Sequence, residues 1–323
     1  MISVNPNLIW LIGGTFAALT VGTGVRLVTL RNSAAEVAKK RIGSLKVWWV
    51  LALLWSAAAI FGQVGAAILF AVASLIGLRE FLKLVGTREQ IGGPVIGSLV
   101  ALGLVHYLLI ILGYSSIARV FLPISALLLF GAIRETTCKT DNYIRTTAGL
   151  YWGAMLMIYS FSHALFLFDV DPLLEPPVGA AGGFLFLVLL TEMNDIMQAV
   201  VGRRLGKYKI TPDVSPNKSL EGLLGGVFTT VVLSICLAPW LTTLTTDREL
   251  WGGLLISIVA GVLISIAGFL GDINMSAIKR DVGVKDGSLI LPGMGGVIDR
   301  IDSLIFTAPV FYYFVVVVDL LKV

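Results

Sequence analysis

The stretch 47–79, VWWVLALLWSAAAIFGQVGAAILFAVASLIGLR, decides how many times this chain crosses a membrane. A helix needs about 20 apolar residues to cross about 30 Å of hydrocarbon, so the stretch is too long for one span and short for two. The charges around it settle the count. The segments on either side, 31–46 and 79–90, both carry Lys and Arg. Basic loops stay on the cytoplasmic side, so an even number of crossings separates them, and the stretch reads as two helices, 47–62 and 64–79.

Outward from there, apolar runs at 8–30, 92–113, 116–133, 146–168, 181–201, 220–243, 251–271 and 303–321 bring the total to ten spans. The expected fold is an all-α polytopic membrane protein of about ten transmembrane helices. Composition agrees: of 323 residues 57% are hydrophobic and 14% charged, and the mean hydropathy of +0.91 excludes an ordinary soluble domain. Loops 134–145, 202–219 and 279–300 are basic, whereas 169–177 and 245–250 are acidic or mixed, so basic and non-basic loops alternate strictly. Both termini are therefore expected outside the cytoplasm, with the two largest charged loops inside, in a bacterial inner (cytoplasmic) membrane. The first apolar run follows a leader without Lys or Arg, which reads as a retained helix and not as a signal peptide.

The net charge of +4 resides in loops, where it faces anionic headgroups or substrates; no basic tail suggests nucleic acid. Cys138 and Cys236 are too far apart in depth to pair and read as free thiols. His106 and His163 lie in apolar segments and read as packing or hydrogen-bonding residues. No internal repeat is visible, but the chain divides into 1–180, with few intramembrane charges, and 181–323, with nearly all the unusual ones.

Three constellations in the second part carry chemistry. In and just after the run 181–201, Glu192, Asp195, Gln198 or Ala199, and Gly202 recur at helical spacing and form one polar stripe. A carboxylate in a span costs roughly 2.5–3.5 kcal/mol on insertion scales, so such groups line a cavity, hold an ion or pair with a base. The loop after it holds Arg203, Arg204, Lys207, Lys209 and Lys218, and Ser219-Leu-Glu221-Gly222 opens the next helix, where an anion would meet amides and a positive dipole end. A plain anchor loop would also be basic, but it needs none of the backbone shaping that Gly202, Gly206, Ser215 and Pro216 imply. Third, Asp272, Ser276 and Lys279 share one helical face, and Asp299 and Asp302 sit three residues apart at the start of the last helix. Hard oxygen ligands without His or thiolate favour magnesium over zinc. Between them, Pro292-Gly293-Met294-Gly295-Gly296 offers amides that can approach a phosphate.

At these residues the sequence resembles the phosphatidate cytidylyltransferase (CDP-diacylglycerol synthase) family. Ser276, Lys279-Arg280, Lys285-Asp286, Ser288, Leu291-Pro292, Gly295-Gly296, Asp299-Arg300 and Asp302 fall in register with its C-terminal signature. The upstream element is matched by Ser215-Pro216-Asn-Lys218-Ser219-Leu-Glu221-Gly222. Two departures mark a divergent branch: Met294 stands where the family usually has His, and Asn194-Asp195-Ile-Met-Gln198 replaces a stretch of small and aromatic residues. The resemblance implies a nucleotidyltransferase that joins CTP to phosphatidic acid at cytoplasmic catalytic loops, with magnesium and room for a second cation such as potassium.

Under that resemblance Asp272, Ser276, Lys279, Asp299 and Asp302 are the expected catalytic residues. Asp272, Asp299, Asp302, Asp195 and Glu192 are the expected metal ligands. Lys218, Ser219, Arg280, Lys285, Gly295, Gly296 and Arg300 would hold the nucleotide, and Arg203, Arg204 and Lys207 the lipid phosphate. A homodimer is left open. So are two other classes with the same features: a CTP-dependent lipid kinase, and a non-catalytic lipid- or anion-binding or transport homologue.

Overall fold

Apolar runs punctuated by charged loops fold here as helices because, in hydrocarbon, only a helix or a closed barrel satisfies every backbone amide within itself. A computed structural model describes residues 5–31, 35–85, 93–137, 143–169, 176–246, 248–284 and 295–321. Ten helices or helical segments among them are long and apolar enough to cross a membrane. They are α1 (Pro6–Leu30), α2 (Ala35–Ile60), α3 (Gly62–Leu84), α4 (Gly93–Ile111), α5 (Ser115–Thr137), α6 (Tyr143–Ala154 and its continuation), α7 (Gly182–Leu205), α8 (Leu220–Leu241), α9 (Leu250–Asp281) and α10 (Ile298–Leu320). No strand occurs among the described residues; Lys209 and Ser219 form one isolated antiparallel bridge.

The ambiguous stretch 47–79 is indeed two helices. The chain breaks at Phe61-Gly62, where Gly62 takes φ +64°, a left-handed conformation that side chains with a Cβ resist. Helix α2 begins earlier than its apolar run, so Arg41 and Lys46 lie on the helix and not in a loop. Helix α6 is irregular: it passes into a π-helical stretch at Met155–Ser160 and a 3₁₀ stretch at His163–Asp169. It is also the central element, with 72% of its apolar window covered by the rest of the protein, against 6% for α1 at the periphery. Both histidines are buried in this part: His106 Nε2 lies 2.8 Å from Ser162 Oγ, and His163 Nδ1 lies 2.8 Å from the Tyr159 carbonyl oxygen.

Helices α7, α8, α9 and α10 pack on one another and carry the polar stripe between them. Asn194, fully buried on α7, ties three of them together. Its Oδ1 accepts from Ser265 Oγ on α9 at 2.6 Å and from Thr230 Oγ1 on α8 at 3.4 Å. Glycine lets the backbones approach closely enough for this. A Cβ on Gly226 would stand 2.5 Å from Gln198 Cγ and 2.6 Å from Asn194 Oδ1.

Candidate active site

The α7–α8 connection is shaped by its own hydrogen bonds. Tyr208 O accepts from Leu220 N at 2.9 Å and Lys218 O from Ile210 N at 3.2 Å, which closes the loop on itself. Glu221, in the first turn of α8, accepts from the amides of Lys207 (3.0 Å) and Tyr208 (3.2 Å), and Ser219 caps α8 by accepting from Gly222 N at 3.2 Å. The motif Ser215-Pro216-Asn-Lys218-Ser219-Leu-Glu221-Gly222 thus builds a rigid entry to α8 that holds Lys218 inward.

Lys218 pairs with Asp272 of α9, donates to Gln198 Oε1 at 3.1 Å, and lies 5.6 Å from the ring centre of Phe269. These groups edge a cavity of about 370 Å³ between α7, α8 and α9, lined also by Asp195, Arg203, Asn217, Ser219 and Gly222. Charged groups crowd around two of its neighbouring carboxylates. Asp195 is within electrostatic reach of Glu192, Lys218 and Asp272, while Asp302 sees Asp272, Asp195, Arg300 and Lys279. Asp195 Oδ1, Gln198 Nε2 and Arg300 Nε are buried without a hydrogen-bond partner among the described residues. Folded proteins leave few buried polar atoms unpaired, and two of these three, on Asp195 and Gln198, belong to residues that line the cavity, where a polar ligand could meet them.

The two carboxylates at the start of α10 are employed differently. Asp299 Oδ1 accepts from Lys279 Nζ at 2.7 Å and its Oδ2 from the Gly296 amide at 2.8 Å. Gly295, with φ +84°, lets the loop turn against that carboxylate. Asp302 instead belongs to the Asp195–Asp272 group, and its Oδ1 also accepts from the Ser303 amide at 2.9 Å. Gly271 brings α9 against the Asp302 and Ser303 backbone, which no residue with a Cβ would allow. As placed, no three His, Cys, Asp or Glu side chains among the described residues stand close enough together to hold a metal ion. The donor set nevertheless suits a hard divalent cation, since it is all carboxylate and includes the unpartnered Asp195 Oδ1.

The remaining expected residues are distributed around this centre. Arg203 lines the cavity; Arg204 and Lys207 are exposed beside it. Arg280 bonds the carbonyls of Val214 (3.3 Å) and Val284 (3.1 Å), tying α9 to the loop before α8. Ser276 is half-buried one turn beyond Asp272 on α9. Lys285 and Met294 lie outside the described residues, as does Cys138; Cys236 is a free, exposed thiol.

One residue that sequence patterning passes over belongs here. Glu80, 3% exposed on α3, accepts from the Ile298 amide at 3.0 Å and so anchors the first turn of α10, 218 positions along the chain. In the sequence it is one carboxylate at the end of an apolar run, with nothing to distinguish it from an interfacial residue.

Helices of this length and apolarity, with ionic groups gathered at one end of the α7–α10 bundle, define an integral membrane protein with a polar cavity at that end of the bundle. Residues 39–318 match the model of the cytidylyltransferase family, and the chain belongs to that family. It is 37% identical over 278 residues to the Escherichia coli protein YnbB, itself uncharacterized, a match covering 84% of this chain and 86% of that protein. It is 32% identical over 264 residues to the phosphatidate cytidylyltransferase of Synechocystis sp., covering 76% and 86% respectively. The phosphatidate cytidylyltransferase of Haemophilus influenzae is 44% identical over 131 residues, 40% of this chain and 44% of that protein. The chain is accordingly a membrane-bound nucleotidyltransferase.

Proposed function

We propose that this enzyme transfers the cytidylyl group of CTP to phosphatidic acid, forming CDP-diacylglycerol and pyrophosphate on the cytoplasmic side of a bacterial inner membrane. A lipid phosphate oxygen forms a bond to the α-phosphorus of CTP while the bond from that phosphorus to the bridging oxygen of pyrophosphate breaks. The nucleophile is already anionic, so no general base is required, and the residues have to neutralise and align. The observation that carries the reading is the cavity of about 370 Å³ edged by Lys218, Asp272 and Asp195, to which the motif at 215–222 contributes Asn217, Lys218, Ser219 and Gly222.

In this reading Lys218, with Arg300, Lys279 and Arg280, offsets the charge of the triphosphate and of the departing pyrophosphate, helped by Ser219, Lys285 and the amides of Gly295 and Gly296. Arg203, Arg204 and Lys207, at the end of α7 and start of its loop, suit the lipid phosphate at headgroup level. Asp272, Asp302 and Asp195, with Glu192 and Asp299, are the residues that would hold magnesium. That ion, when bound, would neutralise phosphoryl oxygens as a Lewis acid. Lys218 and Lys279, now on Asp272 and Asp299, would exchange carboxylate for phosphate as substrate enters.

The test is incubation of the purified protein with phosphatidic acid and CTP labelled either at the α- or at the γ-phosphate. Label from the α-position in the lipid fraction, with pyrophosphate released, is expected. Lipid label from the γ-position would identify a kinase, and none from either would identify a non-catalytic homologue.

A further inference from the structure

At the end of the bundle opposite the catalytic cavity lies a second cavity, of about 560 Å³, between the start of α5, the end of the α6 continuation and the end of α10. Its volume is within the range of about 300–1,000 Å³ typical of small-molecule sites. Its most unusual wall is Arg119. This arginine sits half-buried one turn inside α5, where its charged end can reach the cavity while its stem lies along apolar surface. Two oxygens receive it: Tyr312 Oη at 2.5 Å and Ser116 Oγ at 3.1 Å. Aromatic faces hold its plane, with the guanidinium carbon 5.3 Å from the Phe166 ring centre and 5.4 Å from that of Tyr312.

Two carboxylates share the cavity, Asp169 and Asp319. Asp169 is held by Gln63, whose Nε2 donates to its Oδ2 at 2.8 Å. Arg119 is clamped by aromatic rings on one side and Asp169 is anchored by an amide on the other. The cavity between them is positive at one wall and negative at another.

We propose that this cavity binds the headgroup of a zwitterionic aminophospholipid, with the phosphate on Arg119 and Ser116 and the ammonium group on Asp169 and Asp319. A guanidinium with donors to spare forms short charge-assisted bonds to phosphate oxygens, and its ring clamp fixes the fork in advance. The two carboxylates supply what a phosphate site alone lacks: they attract the ammonium and repel a headgroup whose net charge is negative. The site is separate from the transferase cavity, and none of its residues serves the proposed reaction.

Native mass spectrometry of the purified protein, exchanged into equimolar phosphatidylethanolamine and phosphatidylglycerol, tests this. One phosphatidylethanolamine should be retained in preference, by about tenfold. Arg119→Met should lose that retention, and Arg119→Lys should keep part of it. The double substitution Asp169→Asn with Asp319→Asn should keep a bound phospholipid but lose the preference for the amine. Equal retention of the two lipids by the unsubstituted protein overturns the proposal, as does retention unchanged by substituting both aspartates. Inorganic phosphate and glycerophosphoethanolamine form the soluble arms: displacement of the lipid by millimolar inorganic phosphate would assign the site to a free anion and overturn the lipid assignment. Should Arg119→Met fail to fold, the aspartate pair alone decides.

Discussion

Glu80 offers the sharpest handle on how the first half of the chain serves the second. Its carboxylate accepts the Ile298 amide at 3.0 Å, and Ile298 opens the helix turn that carries Asp299, Arg300 and Asp302. On the other side Gly271 presses the α9 backbone against Asp302 and Ser303, so the turn is wedged between α3 and α9. Replacing Glu80 by Leu removes a buried, charge-assisted hydrogen bond worth about 1.5–3 kcal/mol and the favourable interaction of an anion with a helix N-terminus. If that energy is what holds the turn in its productive position, kcat/KM for CTP falls by roughly 10- to 150-fold at about 1.4 kcal/mol per decade. Most of the loss should appear in kcat, because displaced carboxylates misalign the reacting groups more than they weaken binding. Glu80→Gln, which keeps an acceptor oxygen, should recover a large share. Formation of labelled CDP-lipid by both variants, with a thermal unfolding curve to confirm folding, measures this. A folded Glu80→Leu protein with unchanged kcat/KM would refute the positioning role.

Three further outcomes are expected. Asp302→Asn should abolish turnover while leaving the helix packing and thermal midpoint near their original values, since the Asn side-chain oxygen can still accept from the adjacent Ser303 amide, as the carboxylate does at 2.9 Å; retained activity at saturating magnesium would remove Asp302 from the metal site. Gly226→Val should destabilise the protein by about 1–3 kcal/mol or more through overpacking against Asn194 and Gln198, seen as a lower midpoint in thermal denaturation, whereas Gly252→Ala, with open space around it, should not. In sealed cells, with Cys138 and Cys236 replaced by Ala, an impermeant thiol reagent should label Glu249→Cys and spare Asp213→Cys; the reverse pattern would invert the proposed orientation.

The membrane class, the ten apolar helices and the segments that carry the candidate site's motifs are legible in the chain alone. Each of these is set locally: apolar length fixes a span, the charges on either side of 47–79 fix its division in two, and the loops 202–219 and 279–300 carry their motifs in contiguous residues. Helical spacing likewise put Glu192 and Asp195 on one stripe and Asp272, Ser276 and Lys279 on one face, and α7 and α9 keep those faces. What spacing left undecided is which residue of one helix meets which of another. The pairing of Lys218 with Asp272, the capture of Asp299 by Lys279 and the Gly296 amide, and the bond from Glu80 to Ile298 each join segments that no local periodicity relates. Asp299 and Asp302 look equivalent in the chain, three residues apart at one helix start. Only the packed structure separates them, because the turn at Gly295 aims one at the loop while α9, brought close at Gly271, puts the other beside Asp272 and Asp195. Side-chain partners across helices are fixed by helix rotation and approach, and those follow from the steric fit of the whole bundle, which no single segment encodes.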